Sequence, residues 1–138
     1  MTTTAEALRA IPLIQGMSDR SIEIIAGIAR ETTYPEGSRL VQEGDPGDSF
    51  VILRSGGATV DQGGRHLRDL GSGDFLGEIA LLDGGPRTAS VTATDDIDAL
   101  VIDREGFQRL IDQFPVVRFD VVSALTQRLR AKGVDPTD

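Results

Sequence analysis

Glycine is spread so unevenly along this chain that its distribution divides the fold. Twelve of the 16 glycines lie between Gly37 and Gly85, and only Gly106 and Gly133 follow Thr88. Glycine weakens helices and opens the backbone conformations that tight turns use. A stretch this rich in it therefore reads as turns between short strands. Candidate strands are Arg39–Val41, Ser49–Leu53, Ala58–Val60, His66–Leu70, Ala89–Ala93 and Ile97–Ile102. Pro46-Gly47, Gly56-Gly57, Gly63-Gly64, Gly71-Ser-Gly73 and Gly84-Gly85-Pro86 punctuate them. Closely spaced short strands of this kind build a small barrel or a jelly roll.

The glycine-poor ends read as helices. In the head, residues 1–30, a short helix around Ala5 to Ala10 should stop before Pro12. Ser18 can then cap a helix with Ile22, Ile25, Ala26 and Ala29 on one face. In the tail, residues 103–132, Asp103 can cap a helix whose Phe107, Leu110, Ile111 and Phe114 follow the i, i+3, i+4, i+7 pattern. Pro115 suits the first turn of the next helix, which carries an apolar stripe of Val117, Val121, Ala124, Leu125 and Leu129. No linker separates head, middle (residues 31–102) and tail, so residues 1–138 are expected to form one domain.

Composition excludes several function classes. With 14 basic and 22 acidic side chains the formal net charge is -8, which argues against nucleic acid as a direct partner. There is no cysteine and one histidine, so thiolate zinc sites, disulfides, cysteine nucleophiles and multi-imidazole metal sites are out of reach. No metal, cofactor or catalytic residue is expected. No apolar run reaches the roughly 18–20 residues of a membrane span, and the N-terminus lacks a basic segment ahead of an apolar one. The expected location is cytoplasmic.

One stretch, residues 73–92, concentrates chemistry. Gly77 is expected to open a helical turn through Leu82, whose free backbone N–H groups would offer an anion site. Glu78 stands in that turn with Ile79 and Ala80, placed to accept hydrogen bonds from ligand hydroxyls. Arg87 follows nine residues later, after a turn fixed by Pro86, and its planar guanidinium can grip a phosphate through two parallel bonds. It is the only basic residue between Arg68 and Arg104, an interval holding eight acidic residues. Pairing with one of those acids is the plain alternative. His66, between Arg65 and Arg68 on a polar strand edge, reads as solvated.

Phe75-Leu-Gly-Glu-Ile-Ala-Leu-Leu82, three residues, then Pro86-Arg-Thr-Ala89 resembles the phosphate-binding cassette of cyclic nucleotide-binding domains. The upstream segment Glu43 to Gly56 resembles the glycine-bearing hairpin of the same family. The resemblance covers roughly Leu13 to Leu129. It implies a mainly β fold with flanking helices, a double-stranded β-helix (jelly-roll) barrel between N-terminal helices and two C-terminal helices. It further implies that Arg87 binds exocyclic phosphate oxygens, that Glu78 accepts from the ribose 2'-hydroxyl beside Gly77, and that the Ala80 and Ala89 N–H groups help hold the phosphate. Thr88 would contact phosphate or a guanine amino group. Base recognition fits less closely: the family's closing residues fall at Lys132 and Gly133, where the helix ends, and Leu125, Arg128 and Leu129 are taken as the lid.

The expected function is a cyclic nucleotide receptor module, with cAMP ahead of cGMP, that moves its Phe107–Leu129 helices on binding. The last helix also offers a surface for homodimerisation, and the sequence names no downstream protein partner. Only nine residues follow Leu129, too few for a DNA-reading head, and the Met1 start and polar end read as a stand-alone chain. Two other classes compete. A cupin-like enzyme would need several histidines around a metal. A non-binding interaction module of the same fold would not need Gly77, Glu78 and Arg87 together.

Overall fold

The computed structural model describes residues 3–77 and 85–131, with the backbone alone at residues 13 and 128–131. Two antiparallel sheets follow from the glycine-punctuated middle. The first has the order β1 (Arg30–Tyr34), β8 (Ile97–Asp103), β3 (Ser49–Ser55), β6 (Phe75–Leu76). The second has the order β2 (Arg39–Val41), β7 (Ser90–Ala93), β4 (Ala58–Gln62), β5 (Arg65–Leu70). Alternation along the strands decides what each sheet buries. Val51 and Leu53 of β3 and Ile97, Ala99 and Val101 of β8 point one way. They meet Ala58, Val60, Leu70, Val91 and Ala93 from the second sheet in one apolar cluster. The result is a jelly-roll sandwich. The barrel expected from the sequence is not closed, because among the described residues β1, β6, β2 and β5 each end a sheet without a further strand.

All six expected strands are present, Arg39–Val41 with the expected ends and the other five lengthened or shortened by one or two residues. Two more were not expected. β1 carries Arg-Glu-Thr-Thr-Tyr, almost without apolar residues, and shows its character only through pairing with β8 from Arg30↔Val101 to Tyr34↔Ile97. β6 is two residues long and pairs with Val51 and Ile52.

The chain divides into two compact units, Ala29–Gly106 and the helical pair Met1–Ile28 with Phe107–Asp138. In the helical unit, α1 (Thr4–Arg9) is capped by Thr3, and α3 (Asp19–Ala26) by Ser18, whose hydroxyl accepts from Ser21 N. α1 ends before Pro12 as expected, and Pro12 itself opens a further short helix, α2 (Pro12–Gln15), because proline suits a first turn whose N–H groups are free anyway. The tail is α4 (Arg104–Gln113) and α5 (Pro115–Ala131). Leu8, Ile11, Ile22, Ile25, Phe107, Leu110, Val117 and Val121 are buried. Asp103 directly precedes α4, with its carboxylate 3.1 Å from Arg30 Nη2.

A polar knot ties α3 to α5. Asp120 Oδ2 accepts from Ser21 Oγ at 2.7 Å, Ser18 Oγ at 2.9 Å and Ser18 N at 3.0 Å. Desolvation pushes this carboxyl up, but the three hydrogen bonds outweigh it and leave it below its ordinary 3.8. A depressed carboxyl stabilises the fold above its unfolded value, and that stabilisation fades as pH falls through the folded value. Asp120→Asn is therefore expected to lower stability by about 1–2 kcal/mol at neutral pH. In urea titrations the gap between variant and parent should close below the ordinary carboxylate range. A gap that persists unchanged in acid would exclude the charge as its source.

Candidate functional site

The site grows from the way Gly85–Ser90 is laid against the loop between β2 and β3. Arg87 N donates to Asp45 O at 2.8 Å and Gly44 N donates to Arg87 O at 2.9 Å. Gly47 N donates to Gly85 O at 2.9 Å, and Pro46 and Pro86 form an isolated bridge. Glu43 N donates to the hydroxyl of Ser90, which is buried. These bonds fix the backbone on both sides of Arg87 before its side chain is considered.

The Arg87 side chain turns inward and keeps only 7% of its surface. Nη2 donates to Ser49 O at 2.8 Å and to Ser49 Oγ at 3.3 Å. Among the described residues the nearest carboxylate, Asp48, stands 4.0 Å away with its own side chain 87% exposed. Desolvation lowers the affinity of this guanidinium for its proton, and the Asp48 charge works in the other direction. Arginine remains charged under such a shift. Arg87 is thus a desolvated cation whose close partners among the described residues are a neutral carbonyl and a hydroxyl.

Gly77 makes that position available. Its φ is +83°, a conformation that L side chains rarely adopt. A Cβ there would also collide with the Arg87 guanidinium and the Ser49 carbonyl. Glycine is required twice over, by its dihedral and by the close passage of arginine.

Gly77, Arg87, Thr88 and Ala89 line one cavity of about 530 Å³, a size suited to a small organic ligand. Val60, Leu70, Leu76 and Val91 supply apolar wall. A second cation, Arg68, also lines it. Arg68 lies opposite Val60 in the β4–β5 register and two residues before buried Leu70, so strand parity sets it on the inward face.

The model for the cyclic nucleotide-binding domain matches residues 31–114. This chain belongs to the cyclic nucleotide-binding domain family. It is similar to a cAMP-dependent protein kinase regulatory subunit of Colletotrichum orbiculare, 38% identical over 106 residues, covering 75% of this chain and 27% of the relative. It is also similar to the Cyclic AMP receptor protein of Thermus thermophilus, 31% identical over 133 residues, covering 93% of this chain and 62% of the relative. Among solved structures, the N-terminal domain of a transcriptional regulator from Streptomyces coelicolor superposes with a TM-score of 0.82 at 30% identity, covering 91% of this chain and 94% of that one. The chain spans about a quarter of the kinase subunit's length and under two thirds of the receptor protein's.

Within this cyclic nucleotide-binding domain, four of the residues singled out in the sequence stand together: Gly77, Arg87, Thr88 and Ala89. Glu78, Ile79 and Ala80, with the helical turn expected through Leu82, lie outside the described residues, as do the side chains of Arg128 and Leu129. Leu125 is half-buried on α5, in the helical unit. His66 is exposed, with Nε2 2.9 Å from Asp69 Oδ1, so it has a partner as well as solvent. Arg87 does approach an acid, but its close bonds go to Ser49. Ser49, Asp48 and Arg68 were not singled out. Ser49 acts partly through its main-chain carbonyl, which leaves no trace in residue type. The signal for Arg68 was its i, i+2 spacing to Leu70 on a strand.

Proposed function

We propose that this domain is a regulatory module that binds a cyclic nucleotide, cAMP ahead of cGMP, and signals through its C-terminal helices. The observation that carries this reading is the Arg87 guanidinium, desolvated and, among the described residues, bonded closely to Ser49 alone in the wall of a ligand-sized cavity. A single cyclic phosphate would complete its charge, helped by the N–H groups of Ala80 and Ala89 and by the Thr88 hydroxyl. By resemblance, Glu78 would take the ribose 2'-hydroxyl, beside Ile79 and Ala80. Leu125, Arg128 and Leu129 would close over the base. The names of the relatives, a cAMP-dependent kinase regulatory subunit and a cAMP receptor, support cAMP as first ligand.

Binding would shift a two-state equilibrium of the Phe107–Leu129 segment by the ligand's differential affinity for the two states. The reading assigns no bond-making step to the domain. It takes residues 1–138 as one functional module with a downstream protein partner and a cytoplasmic location. Homodimerisation through α5 belongs to the same reading, supported by Phe119 and Val122, which are 72% and 58% exposed there. Among the described residues no helix is long and apolar enough to cross a membrane.

A thermal-shift titration tests the reading. A ligand at a hundredfold excess over its Kd stabilises the folded state by about 2.7 kcal/mol, enough to raise Tm by several degrees. A melting temperature that ignores millimolar cAMP and cGMP would overturn the reading in favour of a non-binding interaction module.

Arg68 is the group placed to sense the base. Guanine offers N7 and O6 as adjacent acceptors to a guanidinium, whereas adenine offers N7 beside an amino donor. Arg68→Ala is expected to weaken cGMP binding roughly tenfold and cAMP binding much less, as read by calorimetry. Equal losses for the two nucleotides would remove Arg68 from base recognition.

A further inference from the structure

The β4–β5 hairpin turns on two residues, Gly63 and Gly64, with φ of +58° and +80°. Gln62 and Arg65 face each other across the turn. Two left-handed residues in a two-residue loop form the tight turn that suits the twist of paired strands, and it pins their register. The hairpin tip is held from outside as well: Gly63 N donates to Glu43 Oε1 at 2.8 Å. Glu43 is the residue whose own N–H is bonded to Ser90. Gln62, the last residue of β4, is thereby fixed close to the chain that precedes β7. Its side-chain amide donates to Thr88 O at 3.0 Å.

That last bond has a geometric consequence. Thr88 C=O and Ala89 N–H belong to one planar trans peptide unit, in which the two groups point in opposite directions. Whatever holds the Thr88 carbonyl therefore also aims the Ala89 N–H. Ala89 lines the cavity, and its N–H meets no acceptor among the described residues. The preceding unit is held the same way, with Arg87 O accepting from Gly44 N. In the first case the donor is a side chain, so it can be removed without touching the backbone.

We propose that Gln62 is a positioning residue for ligand binding, acting through the Thr88 carbonyl to present the Ala89 N–H to the ligand's phosphate. Glu43 supports it by anchoring the hairpin. The role rests on the cyclic nucleotide reading for its ligand and on the hydrogen bonds above for its mechanism. It gives the β4–β5 hairpin, which lies outside the phosphate-binding stretch in sequence, a share in phosphate affinity.

The variant of choice is Gln62→Met, which keeps length and neutrality and removes the donor. Calorimetry with cAMP should show a loss of about three- to tenfold, while the ligand-free Tm stays within about a degree of the parent, because the lost bond is a solvent-exposed one. The two phosphorothioate diastereomers of cAMP, Rp and Sp, each replace one exocyclic oxygen by sulfur, a poorer acceptor. One of them already forfeits the Ala89 bond, so the penalty of Gln62→Met should be small for that diastereomer and full for the other. Affinities for cAMP within about twofold of the parent, or equal penalties on both diastereomers, would overturn the proposal while leaving the nucleotide reading intact. A second arm needs no nucleotide. The Ala89 amide resonance of the parent should move on titration with inorganic phosphate, and Gln62→Met should reduce that movement by about half or more. If the parent binds no cyclic nucleotide yet shows this phosphate response, the positioning role stands and the choice of ligand is wrong. An Ala89 amide that ignores both phosphate and nucleotide would sink both.

Discussion

Arg87→Ala is expected to weaken cAMP binding by roughly a hundredfold or more, the range found when one partner of a desolvated charged pair is truncated. The size follows from the setting of the guanidinium. It has already lost most of its water, and its bonds to Ser49 are to neutral groups, so a phosphate would supply the missing opposite charge. Removing the side chain also removes a desolvated cation, which costs the unliganded fold little. The ligand-free Tm should therefore move by no more than a few degrees. Arg87→Lys should recover part of the affinity, since it restores charge but not the two-pronged geometry. Calorimetry with the three proteins checks this, and equal affinities for parent and Ala variant would end the assignment of Arg87 to the phosphate.

Gly77→Ala should be as damaging to binding and more damaging to the fold. A Cβ at φ +83° costs about 1–2 kcal/mol in backbone strain alone. The same methyl would occupy space now held by the Arg87 guanidinium and the Ser49 carbonyl. Either the arginine leaves its bonds or β3 gives way at Ser49. Affinity should fall by more than about thirtyfold if the arginine is displaced by 2 kcal/mol or more. The ligand-free Tm should drop by several degrees as well. The pairing of the two losses separates this variant from Arg87→Ala, where affinity falls and Tm hardly moves. An intact Tm with normal affinity would show that the backbone here relaxes freely.

How much of this was legible in the sequence varies with the kind of signal each residue leaves. Strands that bury one face announced themselves: Ser49–Leu53 is an apolar run between glycine-bearing turns and Ile97–Ile102 one between acidic residues, and the two pair with each other. β1 was silent because its five residues are mostly polar and exposed, so only its partner β8 makes it a strand. β6 was silent because two residues are too few to show a period. The helix before Pro12 was legible, but the four-residue helix that Pro12 opens was not, because one turn is too short to show a period. In the site, Gly77 and Arg87 were legible because their roles depend on residue type. The bonds that hold Arg87 were not, since Ser49 O, Asp45 O and Gly44 N are backbone atoms found in any sequence. Arg68 and Gln62 fall between these cases. Their types matter, but their positions depend on a hairpin register that only the fold establishes.

The open sandwich leaves four strand margins where a stray chain could add itself and start aggregation. Each margin is defended in its own way. β6 is two residues long, too short to template a neighbour. β2 has three residues and a break in register between Arg39 and Val41. β1 begins with Arg30 and Glu31, both engaged in ion pairs, with Asp103 and Arg54. β5, the longest margin, presents Arg65, His66, Arg68 and Asp69 around a single exposed leucine, Leu67. An incoming strand would have to disturb the His66–Asp69 contact and accommodate both arginines. The polar run along β5 is thus what guards the longest open edge of the jelly roll against an added strand.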